Sequence, residues 1–167
     1  MKLRSLNNAT VVMESADCVL LVDPWLVGNL YHGAWSPFAK LHDLEFLESV
    51  THVFISHIHE DHWDRETLRL LNRDVKILIP DLKVNKVLKR YIEEIGFKNI
   101  ELVDLMKPFS VGRSFQLTVL PPMNAFGQEL GSYMDSYELN ATNIDTSLLV
   151  VDNYSSTSHL FLCDNTP

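Results

Sequence analysis

The sequence predicts an α/β fold, and three observations carry that prediction. Short apolar runs rich in β-branched residues, VLLV at 19–22 and THVFIS at 51–56, read as buried strands. Between later runs of the same kind, Val84, Val87, Leu88, Tyr91, Ile92 and Ile95 recur with the i, i+3, i+4, i+7 period of an amphipathic helix. The length, 167 residues with 46% hydrophobic and 22% charged, suits one packed domain.

Thr10–Met13 reads as the first strand, turned by the polar stretch Glu14–Asp17 into a second over Cys18–Val22. Asp23-Pro24 ends that strand, because proline has no N–H for the ladder. Residues 25–42 read as a long loop carrying Trp25, Tyr31, Trp35 and Phe38, either covering a core edge or lining a site. A short helix over Asp43–Ser49 precedes the strand Thr51–Ser56. Asp64 is placed to cap a helix over Arg65–Asn72, and Val75–Ile79 is the next strand, stopped by Pro80. The strongest helical pattern occupies 82–95, with Asp81 as its expected N-cap and Gly96 as its C-terminal stop. Strands follow at Ile100–Val103 and Phe115–Leu120, then a second long loop over 123–145, then strands at Ser147–Val151 and His159–Cys163. The chain stops directly after a strand, so we expect residues 1–167 to form a single domain that is the N-terminal part of a longer fold.

Charge and composition narrow the function classes. Fourteen Lys+Arg against 22 Asp+Glu give a net charge of −8, which supplies no overall field toward nucleic acid. No apolar run approaches the ~18 residues of a membrane span, and no signal peptide is legible, so a cytoplasmic location is expected. The two cysteines, Cys18 and Cys163, form no CxxC pair and no disulfide framework, which fits a reducing compartment. No GxSxG, P-loop or GxGxxG occurs.

The chemistry concentrates in Ser56-His57-Ile58-His59-Glu60-Asp61-His62. At the end of an extended strand, i and i+2 face one side, so His57 and His59 can present both imidazoles together. A turn can bring Asp61 and His62 toward the same centre. Imidazole nitrogen and carboxylate oxygen are ligand types for zinc, and for iron or manganese in related sites. His32 and His42 read as exposed loop residues, His52 as a partly buried structural one, and Glu60 as a solvated acid. Trp25, Trp35 and Trp63 flank the motif and could form a substrate wall.

The HxHxDH run resembles the signature of the metallo-β-lactamase superfamily, with Asp23 and Asp164 each ending a strand at the family's spacing. VDPWLVGNLYHGAW followed by THVFISHIHEDHW is similar to one branch of it. That branch holds the ascorbate-6-phosphate lactonases, the N-acyl phosphatidylethanolamine phospholipase D type and the CMP-N-acetylneuraminate hydroxylase-like proteins. The resemblance implies a metallo-β-lactamase-type αββα sandwich, here cut short at its C-terminus. It implies one or two zinc ions held by His57, His59, Asp61, His62 and a bridging Asp164, with Asp23 orienting a ligand histidine by hydrogen bond. It further implies that a metal-bound hydroxide attacks an ester, lactone or phosphodiester, with Asp61 or Asp164 assisting the proton. The expected partner is a small-molecule substrate, phosphate-, nucleotide-sugar- or lipid-bearing.

The sequence departs from the family pattern in two places: the third histidine of the first position is missing, and the last histidine of the second would fall beyond Pro167, His159 standing on the wrong side of Asp164 to serve. No histidine lies between His62 and His159, where the third ligand of the first position belongs. Asn140, Asn143 and Asp145 occupy that region, and Asp145 alone among them offers a charged oxygen as a substitute ligand. Two other readings follow: a binding or scaffold module that keeps the fold without catalysis, and a nuclease of the same superfamily, which the acidic balance disfavours.

Overall fold

A computed structural model describes residues 1–38, 43–121 and 145–162. Among these residues, ten strands and two α-helices follow in order: β1 (Lys2–Asn7), β2 (Thr10–Glu14), β3 (Val19–Val22), β4 (His52–Phe54), α1 (Arg65–Arg69), β5 (Lys76–Pro80), α2 (Asn85–Ile95), β6 (Ile100–Val103), β7 (Phe109–Val111), β8 (Phe115–Leu120), β9 (Ser147–Asp152) and β10 (Thr157–Phe161).

The strands form two sheets. One has six strands in the order β1-β2-β3-β4-β5-β6, and the other has four in the order β10-β9-β8-β7. β1, β2 and β3 pair antiparallel, whereas β3 to β6 run parallel, with α1 between β4 and β5 and α2 between β5 and β6. The second sheet is antiparallel throughout.

Alternation along each strand sorts its side chains into two cores. Val11, Met13, Leu20, Val22, Phe54 and Leu78 point from the large sheet onto Phe115, Leu117, Val119, Leu148 and Val150 of the small one. The intervening residues Val12, Leu21, Val53, Ile77 and Ile79 face the other way, against Leu68 of α1 and Leu88 and Ile92 of α2. The parallel strands are therefore apolar on both faces, which is why VLLV and KILIP carry no alternation. The described residues thus build three layers, helix, sheet and sheet.

Several boundaries differ from the sequence reading. β1 went unread because Lys2, Leu3 and Ser5 are exposed on a sheet edge and the strand carries no buried apolar pattern. β7 is only three residues long. The strand expected over Thr51–Ser56 stops at Phe54, since 55–59 bends into the site. Pro80 closes β5 from within, as a last residue whose missing N–H costs no ladder bond. The segment expected to be helical from 82 begins at Asn85, with Val84 and not Asp81 at its N-cap, because 82–84 is a turn in which Asn85 Nδ2 donates to the Pro80 carbonyl at 3.1 Å. Gly96 ends α2 at φ 110°, a conformation that a side chain disfavours. Asp64 caps α1, accepting from Thr67 N at 2.7 Å and Glu66 N at 3.3 Å, although α1 is shorter than expected. Glu45–Ser49 is a 3₁₀ turn, not an α-helix. Asp164, His42, Asn140, Asn143 and Cys163 lie outside the described residues.

Candidate metal centre

The centre forms where β3 and β4 end side by side. Asp23 follows β3, and its N–H donates to the Phe54 carbonyl at 2.9 Å, tying the two strand ends together. Its backbone is left-handed, φ 44°, a conformation that aspartate tolerates better than most residues. Thr10 Oγ1 holds that turn, donating to the Asp23 carbonyl at 2.7 Å and accepting from Trp25 N at 2.9 Å.

So placed, the fully buried Asp23 carboxylate meets three groups. Oδ1 accepts from Ser56 N at 2.7 Å, and Oδ2 accepts from Ser56 Oγ at 2.8 Å and from His62 Nδ1 at 2.9 Å. A carboxylate at Nδ1 holds a proton on that nitrogen, so that the neutral imidazole keeps its lone pair on Nε2. Nε2 lies 3.5 Å from Asp61 Oδ2. The 3₁₀ turn Glu60–His62 brings these two side chains back toward His57. The His57 and His62 rings sit 4.1 Å apart between centroids.

His57 is fully buried and His59 is exposed. His57 Nε2 lies 2.8 Å from His59 Nδ1 and 3.5 Å from Asp145 Oδ1. One ligand atom each from His57, His59 and Asp145 falls within 4.8 Å of the others. Asp145 arrives from the far sheet. The neighbouring Thr146, fully buried, donates from Oγ1 to the Ser56 carbonyl at 2.9 Å and pins the start of β9 against the end of β4.

Asp61 is held differently. Tyr31 Oη donates to Oδ1 at 3.1 Å, and Asn8 Nδ2 donates to Oδ2 at 3.3 Å. Burial pushes this carboxyl up, but His62 in its doubly protonated, metal-free form, by hydrogen bond and charge, with smaller help from the backbone and Tyr31, overcomes it and holds the value at about 2.

Two nitrogens and a carboxylate oxygen at this separation, beside a second nitrogen–carboxylate pair, are a donor set that suits a divalent transition metal. The structure brings together His57, His59, Asp61, His62, Asp145 and Asp23, while Asp164 lies outside the described residues. Asn8, Ser56 and Thr146 were not read as site residues, and Tyr31 was read only as one aromatic of a loop that either covers a core edge or lines a site. Tyr31 and Asn8 reach Asp61 through loops whose course the sequence pattern does not give, whereas Ser56, preceding the motif, and Thr146, following Asp145, were legible as polar residues at strand ends.

The expected tryptophan wall is only partly present. Trp63 is buried, stacked on Tyr91 with ring centroids 5.8 Å apart, and donates to the Ile58 carbonyl at 2.7 Å. Trp25 is buried too, so Trp35, half exposed, is the one of the three that presents its ring to solvent. A groove of about 330 Å³ beside the centre is lined by Asn7, Asn8, Trp25, Trp35 and Phe38. His52 is partly buried, its Nδ1 3.6 Å from Cys18 Sγ, and burial pushes its pKa down.

The family comparisons agree with this geometry. The family model described as "Beta-lactamase superfamily domain" matches residues 2–151. A Mycolicibacterium smegmatis protein named "Putative Rieske 2Fe-2S iron-sulfur protein" is 36% identical over 124 residues, 72% of this chain and 24% of that protein. The cytidine monophosphate-N-acetylneuraminic acid hydroxylase of the starfish Asterias rubens is 24% identical over 121 residues, 68% of this chain and 18% of that enzyme. The chain thus spans a small part of the length of these curated relatives. The crystal structure of "a possible metal-dependent hydrolase" from Veillonella parvula superposes with a TM-score of 0.68 at 16% identity, covering 99% of this chain and 62% of that one. With two packed sheets, an HxHxDH turn at the end of β4 and a match over nearly its whole length, the chain belongs to the β-lactamase superfamily domain family.

Proposed function

We propose that the chain carries the metal centre of a metal-dependent hydrolase acting on a small molecule, with zinc as the metal and iron or manganese as alternatives. One observation carries the reading: His57, His59 and Asp145 offer ligand atoms within 4.8 Å of one another, from two different sheets, at a centre that also holds His62. A divalent metal bound there supplies a Lewis acid and lowers the pKa of water toward ~7. His57, His59 and Asp145 would hold one ion, and Asp61 and His62, with Asp164 as the expected bridge, a second.

The chain's own residues set the rest. Asp23 fixes the His62 tautomer and aims Nε2 inward. Asp61 is ionised at neutral pH and stands as an acceptor oxygen at the centre. Trp35 and Phe38 offer exposed rings on the adjoining groove, a surface that supports a substrate with an apolar body, such as an ester or lactone.

The test is a substrate panel on the zinc-loaded protein: 4-nitrophenyl acetate, a γ-lactone and bis(4-nitrophenyl) phosphate. Hydrolysis of the first two, lost in His57→Ala/His59→Ala, supports the reading. Turnover of the phosphodiester alone reverses the substrate assignment. The aspartate in place of the family's histidine favours one rival, a fold-retaining binding module, and metal bound without turnover of any panel member would favour it.

A further inference from the structure

Asp61 is gripped from outside its own motif. Its two carboxylate oxygens each receive a donor, and the donors come from separate, sequence-distant loops: Tyr31 Oη at 3.1 Å on Oδ1 and Asn8 Nδ2 at 3.3 Å on Oδ2. Asn8 sits in the turn between β1 and β2, and Tyr31 in the loop after β3. Both carry left-handed backbones, φ 44° for Asn8 and φ 50° for Tyr31. Asparagine adopts that conformation readily; for tyrosine it is strained, and strain of this kind persists only where surrounding contacts impose it. Those contacts are visible. Leu30 and Trp35 pair their backbones at 2.9 and 3.3 Å around Tyr31, and the Trp35 ring meets the Tyr31 ring edge-on at 5.2 Å.

We infer that Asn8 and Tyr31 are positioning residues that fix the rotation of the Asp61 carboxylate, so that Oδ2 faces His62 Nε2. The inference rests on the reading of Asp61 as a metal ligand. A carboxylate with one free rotor has many orientations, and a donor on each oxygen selects one. The β1–β2 turn and the aromatic loop thereby become parts of the centre, although neither contributes one of the proposed ligands.

The experiment compares wild type with Tyr31→Phe and Asn8→Gly. Phenylalanine removes only the hydroxyl. Glycine removes the amide while keeping the left-handed backbone accessible. Zinc affinity by titration calorimetry is expected to fall about tenfold or more in each variant. The metal-free unfolding midpoints of Tyr31→Phe and Asn8→Gly should stay within about 2 °C of wild type. Affinities within twofold of wild type would overturn the inference. If wild type binds no zinc, the hydrolase reading fails on its own, and metal-free crystal structures of wild type and Asn8→Gly/Tyr31→Phe decide the positioning. An Asp61 carboxylate rotated in the double variant sustains it, and an unchanged one overturns it.

Discussion

Replacing Asp23 separates two kinds of contribution that one buried carboxylate makes. Truncation to alanine leaves Ser56 N–H, Ser56 Oγ and His62 Nδ1 without the acceptors they meet at 2.7, 2.8 and 2.9 Å. Each buried group so stranded costs about 1–3 kcal/mol, and alanine at a left-handed position adds up to about 1 kcal/mol more. Some relief comes from Ser56 Oγ, which also lies 2.9 Å from His57 Nδ1. The net expectation for Asp23→Ala is about 3–5 kcal/mol, or about 10 °C in the thermal midpoint. Asp23→Asn keeps the shape, the left-handed preference and the acceptor for Ser56 N–H. It meets His62 Nδ1–H with a second donor, costing about 1–2 kcal/mol and driving His62 to the other tautomer. That tautomer has its proton on Nε2, so zinc affinity should fall about 10–100-fold with most of the stability retained. Urea unfolding and zinc titration on both variants provide the assay. Asp23→Ala costing less than about 1 kcal/mol, or Asp23→Asn binding zinc as wild type does, would refute the assignment.

Three further outcomes follow from the same contacts. Asp61 has its carboxyl held at about 2 against an ordinary 3.8, so its contribution is present above pH 3.8 and lost as the pH falls toward 2. The urea-midpoint gap between metal-free wild type and Asp61→Asn should therefore shrink across that window, and a gap constant with pH would contradict the shift. Thr146→Val removes the hydroxyl that bonds the Ser56 carbonyl at 2.9 Å and should cost about 1–2 kcal/mol in urea unfolding while weakening metal binding through Asp145. Trp63→Ala should cost about 3–5 kcal/mol by the same measurement, because the ring is core and not a substrate wall; a loss confined to activity would reverse that placement.

The parallel strands and the long helix were legible because their apolar periods are set by burial on two faces and on one stripe. The histidine motif was legible because its residue types and spacing serve one kind of chemistry. Asp145 could be named as a substitute from its charge alone, but its meeting with His57 depends on the pairing of β9 with β8 and on the bond from Thr146 to Ser56, 90 positions away in sequence. The grip on Asp61 was not legible. Asn8 and Tyr31 are ordinary loop residues in sequence, and only the left-handed turns that carry them bring them to it. Trp63 was misread because nearness to a motif says nothing about which way a ring points; Tyr91, from α2, decides that.

The most direct measurement is metal content by elemental analysis of the purified protein after zinc is supplied, on wild type, His57→Ala/His59→Ala and Asp145→Asn. The account predicts at least one zinc per chain in wild type, none at the first position in the double variant, and weakened retention in Asp145→Asn. Wild type that holds no zinc, iron or manganese, or a double variant that holds as much as wild type, would contradict it.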